Sequence, residues 1–463
     1  MAFPVFTIPK AFGFGDSSSL VIDEQRTNNY ELPYFDRRLT MNNLTRRDFV
    51  KSTAAVGVAI AIPFSKVRGA NDYLRVGVAG IRGRGGGLVN EFHDLEGVRV
   101  VALCDIDSDV LDKRVKQFKD RNEQVAGYGD YRRMLEDKSI DIIAIATPDH
   151  WHVPIAAASV VAGKDVYVEK PLSHTIAEGR LLVNLAHKHG RMVQHGTQTR
   201  SAGGVREGIE YLQSGKLGKI RMAKAINCQL RGPIGRVADS ETPPGVNYDL
   251  WLGPAPKRSF NRNRYHYNWH WFWDYGTGDI GNDGIHQIDI ARWGLGAEMP
   301  NAVSCSGTQL FYDDDHQTPD TQIATFEYDD VYLMYEMRLW TPYPLEGHDN
   351  GDMFYGDEGT MSIGRKGWQV TFKNGKEGPG GSRGSYSHAE NFIKAVRSRK
   401  ASDLNADVEV GHRSATLCHM ANIAMRVGRR LKFDAANERF INDAEANTYL
   451  TKQYRKGYEL PTL

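Results

Sequence analysis

The chain reads as an α/β domain built on a doubly wound parallel sheet, followed by an α+β domain with a large, open, mainly antiparallel sheet. Three observations predict this. Between Leu74 and His195 short apolar runs alternate strictly with amphipathic stretches. Beyond His195 the alternation stops and strand-like runs follow one another. A length of 463 residues exceeds one core of ordinary size and suits two domains and a tail. The expected boundaries are 1–71 for an N-terminal extension, 72–195 for the first domain and 196–463 for the second.

In the extension, Thr45-Arg46-Arg47-Asp48-Phe49-Val50-Lys51 precedes the apolar stretch Ala54 to Ile62, which Pro63 ends. The pattern resembles a twin-arginine export signal, so a periplasmic or extracellular location is expected; an unused signal would leave the protein in the cytoplasm. Met41, just upstream, is the expected start of translation, with residues 1–40 an added extension. Composition narrows the partners. The 58 Lys and Arg nearly balance 57 Asp and Glu, and no basic stripe with interleaved aromatics suggests nucleic acid. No apolar run is long enough for a bilayer, so no membrane insertion is expected after export. Cys104, Cys228, Cys305 and Cys418 are widely spaced, which argues against a disulfide framework or zinc ribbon, and Cys104 reads as a buried thiol within a strand.

In the first domain, Leu74 to Ala79, Val98 to Cys104, Ile140 to Ala146, Asp165 to Val168 and Met192 to His195 read as strands. Helical spacing covers roughly 88–95, 109–118, 153–161 and 176–188. The first strand runs into Gly80-Ile81-Arg82-Gly83-Arg84-Gly85-Gly86-Gly87. Such a turn lets backbone amides approach a pyrophosphate at a helix start. Gly80 and Gly85 fit the first and third glycines of G-x-G-x-x-G, while Arg82 takes the second place with Gly83 beside it. The next strand ends in Asp105, where a carboxylate can accept the ribose hydroxyls. The domain is therefore read as a Rossmann domain preferring NAD, with NADP left open by Arg82 and Arg84.

Thr147-Pro148-Asp149-His150-Trp151-His152 and Glu169-Lys170-Pro171 lie at carboxyl ends of strands, where an open α/β sheet binds its ligands. In this order, with the glycine turn and Cys104-Asp105-Ile106-Asp107, they resemble the Gfo/Idh/MocA family over about residues 74–433. The resemblance implies that Lys170 lies at the nicotinamide and the reacting hydroxyl, and that the peptide before Pro171 is cis. Thr147, Pro148, His150, His152 and Glu169 are then expected beside the cofactor. His150 and His152 have the spacing of metal ligands, but no third ligand is near in sequence and no metal is expected.

In the second domain, Lys219 to Cys228, Ala302 to Phe311, Thr321 to Tyr328, Val331 to Trp340 and Met361 to Phe372 read as strands of an antiparallel sheet. The resemblance implies that this sheet joins subunits of a homo-oligomer. Tyr265 to Tyr275 packs seven aromatics and two histidines into eleven residues. Trp269 and His270 are expected to contact a sugar, although a subunit interface or core explains such density equally well. From Gly278 a helix opens in which Asn282 and His286 share a face. The resemblance implies an Asp and a His four apart over the substrate, the His exchanging the hydroxyl proton. His286 matches, but the Asp position is Asn282, with Asp283 beside it, and an amide cannot exchange a proton. Gln198 and Arg200, after the last parallel strand, either reach cofactor and substrate or form a linker. His388 to Arg397 and Val408 to Arg430 read as helices packing back on the body.

These features together lead to an oxidoreductase that moves a hydride between a retained dinucleotide and a small carbohydrate or polyol, with Lys170, His286 and Asn282 at the reacting centre. Outside the cytoplasm no partner enzyme recycles a soluble cofactor, so a bound one must end each cycle in its starting state. The rival outcomes are an NAD-dependent glycoside hydrolase working by oxidation, elimination and reduction, and a non-catalytic sugar sensor.

Overall fold

The computed structural model describes residues 73–463. The twin-arginine segment and the boundary expected at residue 71 lie outside them. Within them, the strict alternation becomes a six-stranded parallel sheet: β1 (Leu74–Ala79), β2 (Val98–Cys104), β3 (Ala126–Tyr128), β4 (Ile142–Ile145), β5 (Asp165–Val168) and β6 (Val193–His195), in the order β3-β2-β1-β4-β5-β6. Strands β4 and β5 are buried at every residue, the pattern of a sheet covered on both faces. The crossovers are α1 (Gly83–His93), α2 (Ser108–Asp120), α3 (Tyr131–Glu136), α4 (Asp149–Val161) and α5 (Ile176–His189). Helix α1 opens inside the glycine turn itself, five residues before the apolar periodicity begins.

The second domain begins with α6 (Gly203–Gln213) and β7 (Ile220–Asn227), then α7 (Tyr248–Leu252) and α8 (Ile285–Leu295). Strands β8 (Ala302–Thr308), β9 (Thr321–Glu327), β10 (Tyr332–Arg338), β11 (Asn350–Gly356), β12 (Gly359–Gly364), β13 (Gly367–Phe372) and β14 (Glu377–Ser382) follow. After α9 (His388–Ser398) and α10 (Val408–Val427), β15 (Leu431–Asp434) and β16 (Arg439–Phe440) complete a ten-stranded sheet. Its order is β14-β13-β12-β11-β7-β10-β9-β8-β15-β16. The sheet is mixed, not purely antiparallel, because β7 and β10 pair in parallel at its centre. The run expected as one strand over 361–372 is a hairpin, turning between Gly364 and Gly367, where Gly367 has φ +142.

Two cores hold the molecule. The smaller covers one face of the parallel sheet, and α9 from the far end of the chain completes it: Phe392, Ile393 and Val396 join Val76, Phe92 and Tyr167. Phe92, Tyr167 and Phe392 meet edge to face at 5.7 to 6.4 Å between ring centres. The larger core runs from the other face of that sheet through α8 and α10 to the mixed sheet. Among the described residues no helix is long and apolar enough to cross a membrane. Cys104 is buried, and burial pushes its thiol far up from the ordinary range.

Burial also decides the state of several imidazoles. His150, His195 and His419 are pushed down to about 3 and His388 to about 4, desolvation being the largest cause in each. In the unfolded chain these rings take protons below about 6.5, whereas in the folded protein they stay neutral until about 4. Between those values the unfolded state binds more protons, so stability falls as pH drops through the window. The melting temperature is therefore expected to fall progressively between about pH 6.5 and pH 4. Calorimetry across that range checks it, and a flat profile would refute neutral burial.

Candidate active site

The turn between β1 and α1 builds a cradle that side chains could not occupy. Gly80 has φ +74, and a Cβ added at Gly85 would collide with the Gly80 carbonyl oxygen. At Gly83, by contrast, the space where a Cβ would stand is open. The first-turn amides of α1 thus face a cavity of about 390 Å³ lined by Gly80, Arg82, Gly83, Arg84, Asp105, Thr147 and Pro148. Asp105 receives the Ile81 and Asp107 amides at 3.1 Å, one on each oxygen, leaving lone pairs on both. Thr147 Oγ1, buried and without a partner, lines the same cavity. A helix start, a carboxylate at the second strand end and an unanswered hydroxyl fit the pyrophosphate and ribose of a dinucleotide.

The opposite wall comes from the second domain. Segment 245–270 crosses to the end of β2, where Ser108 N donates to Gly245 O at 3.0 Å and Asn247 N to Ile106 O at 2.9 Å. Tyr265 Oη and His266 Nε2 lie 3.3 and 3.1 Å from Asp107 Oδ2. Burial and the nearby Arg82 charge press His266 down to about 4, so its ring is neutral and donates to Asp107. This strap presents Trp251, His266, Tyr267, Trp269 and His270 to the cavity. Trp269 and His270 are stacked at 3.8 Å between ring centres. They therefore face the cleft that fits the dinucleotide, while Trp271 is core.

Lys170 links the domains. Its Nζ donates to the carbonyl oxygen of Asn282 and, at 2.9 Å, to Asn282 Oδ1. Asn282 lies in a π turn, Ile280–Gly284, that leads into α8. Its Nδ2 donates to buried Asp279 at 2.9 Å, which fixes the amide with Oδ1 toward the lysine. Asp279 also accepts from Asn227 at 2.8 Å and from Arg231 at 3.3 Å. Where the resemblance implies a proton-exchanging Asp, Asn282 orients the lysine. The peptide between Lys170 and Pro171 is cis, and His152 sits between the carbonyl oxygens of Pro171 and Thr147 at 2.6 and 2.8 Å.

His286 lies at the start of α8 and lines a second, polar cavity of about 220 Å³ with Gln198, Thr199, Asp283, Asn350 and Arg383. Burial, then the Lys170 charge, presses its imidazole down to about 4. Nδ1 is buried with no hydrogen-bond partner. Asp283 accepts from Gln229 and from Asn350, the latter at 2.6 Å.

Several expected contacts move. His150 is fully buried, with Nε2 at 3.0 Å from Trp251 O; it supports the strap from beneath and does not line the cavity. Glu169 is likewise internal. It pairs with Arg84 at 2.7 Å and accepts from Gln198 at 2.9 Å. Burial would raise its carboxyl, but Arg84 and Lys170 outweigh burial and hold it ionised. Gln198 thus belongs to the polar cavity instead of the dinucleotide cleft. Arg200 reaches neither, because Asp289 takes its guanidinium at 2.6 and 3.0 Å beneath the Trp293 ring. The sequence reading passed over Asp279, Arg231, Gln229 and Asn350. Asp279 carried one usable signal, an acid three residues before Asn282 in the same glycine-rich stretch.

Comparison with known proteins agrees with this architecture. Residues 74–197 match the oxidoreductase-family model for an NAD-binding Rossmann fold, and residues 233–460 match that family's C-terminal alpha/beta domain. A glycosyl hydrolase family 109 protein 2 of Shewanella sp. strain ANA-3 is 40% identical over 120 residues, covering 25% of this chain and 26% of its own. A family 109 protein of Shewanella pealeana is 33% identical over 170 residues, 31% and 37% of the two chains. The matches thus span well under half the length of these relatives. Among solved structures, the WlbA dehydrogenase from Bordetella pertussis, in complex with NADH and UDP-GlcNAcA, superposes with a TM-score of 0.60 at 17% identity, over 78% of this chain and 99% of the other. The aldose-aldose oxidoreductase from Caulobacter crescentus gives 0.60 at 18%, over 78% and 100%. With a glycine cradle and an acid for NAD in one domain, and a lysine that meets the helix start of the other, the chain belongs to the Gfo/Idh/MocA oxidoreductase family.

Proposed function

We propose that this protein is an NAD-dependent oxidoreductase acting on a hydroxyl or carbonyl carbon of a sugar or polyol, with a dinucleotide retained through the cycle. One observation carries the reading: Lys170 of the first domain is held by Asn282 of the second, and its charge reaches His286, which lines a polar cavity. When bound, the nicotinamide accepts a hydride and later returns it. Of the three N–H donors on Lys170, Asn282 takes two, which leaves one for the oxygen on the reacting carbon. That donor stabilises negative charge on the oxygen only as its proton leaves, so it acts on the transition state more than on bound substrate. His286, held neutral by burial and by Lys170, takes the hydroxyl proton and gives it back in the reverse direction. Asp279 and Asn282 are positioning residues that keep the ammonium in place.

A glycoside hydrolase is the second reading, favoured by the amide at position 282 where the family resemblance implies a carboxylate, and by the name that the family 109 relatives carry. Transient oxidation of a ring carbon acidifies the neighbouring C–H; loss of the glycosidic group, addition of water and return of the hydride to the oxidised carbon then complete hydrolysis. A sugar sensor requires neither an oriented ammonium nor a neutral imidazole beside it. Arg46, Arg47 and the following apolar stretch support export by the twin-arginine route, which carries folded proteins and so a loaded dinucleotide. The half-exposed Ile323 and Tyr332 on the mixed sheet support its use as a homo-oligomer interface.

Lys170→Ala is expected to lower turnover about 10²- to 10⁴-fold, and to lower the melting temperature modestly because the Asn282 acceptors lose their donor, measured by stopped assay and calorimetry; full activity would remove the lysine from the reacting centre. Gly85→Ala is expected to abolish retention of the dinucleotide, read by mass spectrometry of small molecules released on denaturation. Nitrophenol release from p-nitrophenyl glycosides without added cofactor would favour the hydrolase. Absorbance of the reduced dinucleotide on adding free sugars, with no such release, supports the oxidoreductase.

A further inference from the structure

The polar cavity holds a guanidinium that the proposed reaction leaves unused. Arg383, just after β14, lines it together with His286 and is half-buried. Its Nη2 donates to Thr199 Oγ1 at 2.8 Å and to Tyr386 Oη at 3.3 Å, and the guanidinium stands 5.7 Å from the centre of the Tyr386 ring. Those partners orient the group without neutralising it. Among the described residues no carboxylate lies within 4.0 Å of it. A guanidinium offers five N–H donors in a rigid fork; with Nη2 spent, those of Nε and Nη1 have no acceptor among the described residues.

Other charges stand around the cavity. Asp283 accepts from Gln229 and Asn350 on Oδ2, and the field of Arg231 reaches it as well. Arg365 pairs with Asp349 at 3.3 Å. Asp352 is fully buried, and burial, then Asp289, pushes its carboxyl well above the usual range, which disfavours its charged form. His286 is neutral for the reasons given above. Beside the Asp283 carboxylate stands one guanidinium, held in place by neutral partners, lining the chamber that contains the proton acceptor. A solvated surface arginine would have no need of two neutral side chains to hold it.

We propose that Arg383 binds an anionic substituent, a carboxylate or a phosphate, on the sugar whose hydroxyl is presented to Lys170 and His286. The substrate class is then an acidic sugar such as a uronic acid or a sugar phosphate, not a neutral hexose. This deepens the sugar oxidoreductase reading and rests on it.

Isothermal titration calorimetry on the purified holoprotein, at fixed ionic strength, compares glucuronate, glucose 6-phosphate and glucose on the wild type, Arg383→Met and Arg383→Lys. An anionic sugar is expected to bind at least about tenfold more tightly than glucose to the wild type, as a charge-assisted hydrogen bond from the free Nε or Nη1 donors implies. In Arg383→Met the preference should collapse to within about twofold while glucose affinity holds, and Arg383→Lys should fall between. Preference for glucuronate identifies the carboxylate, and preference for glucose 6-phosphate the phosphate. Binding of both anions no tighter than glucose overturns the proposal, as does a preference that survives Arg383→Met. Absorbance of the reduced dinucleotide is read in parallel: an acidic sugar that binds through Arg383 without changing it keeps the subsite and removes the oxidoreductase reading.

Discussion

The hydrogen bonds from Lys170 to Asn282 couple everything else in this molecule. They join the end of β5 in one domain to the helix start of the other, and an ammonium can be brought this far out of water only if its donors are answered. Each partner is held in turn. On one side His152 ties the Pro171 carbonyl to the Thr147 turn, so the lysine backbone and the floor of the dinucleotide cleft form one unit. On the other, Asp279 anchors the Asn282 amide, and Asn227 and Arg231 anchor Asp279. Asp279, three residues before Asn282, thus bears on the lysine through the amide.

Charge burial follows the same logic at two further points. Arg84, Glu169 and Gln198 form a chain beneath the glycine turn, and Arg200, Asp289 and Ser414 form another beneath α8. In each chain an arginine sits against a buried acid of its own domain, Arg84 with Glu169 in the first and Arg200 with Asp289 in the second. Replacing one partner would strand the other charge at a cost of about 3 to 5 kcal/mol. Each domain thus settles its own buried charge, while the larger apolar core is shared between them.

The parallel sheet was legible because its strands are buried on both faces and write continuous apolar runs; four of the five expected strands agree with observation to within one residue at each end, and β4 is shorter by three. The mixed sheet was less so. Its strands expose one face, and alternation does not reveal pairing partners, so the parallel contact of β7 with β10 and the tight hairpin of β12 and β13 went unread. At the site, Lys170, His286 and the cradle glycines carried motif spacing. Asp279, Arg231 and Arg383 did not, because their roles come from contacts between residues 48 to 184 positions apart. Arg200 misled for the opposite reason: its place after β6 suggested ligand contact, whereas Asp289 takes it first.

Helix α9 has a consequence for how the protein is made. The face of the parallel sheet bearing Phe92 and Tyr167 is finished only by Phe392 and Val396, so the first domain leaves the ribosome with that surface bare. At roughly 5 to 20 residues per second, the two hundred or so residues that separate β6 from the end of α9 take on the order of 10 to 40 seconds to synthesise. For that interval the nascent chain presents aromatic surface with no covering of its own. A chaperone in the cytoplasm has a defined patch to guard, and the patch disappears once nearly the whole chain has been translated.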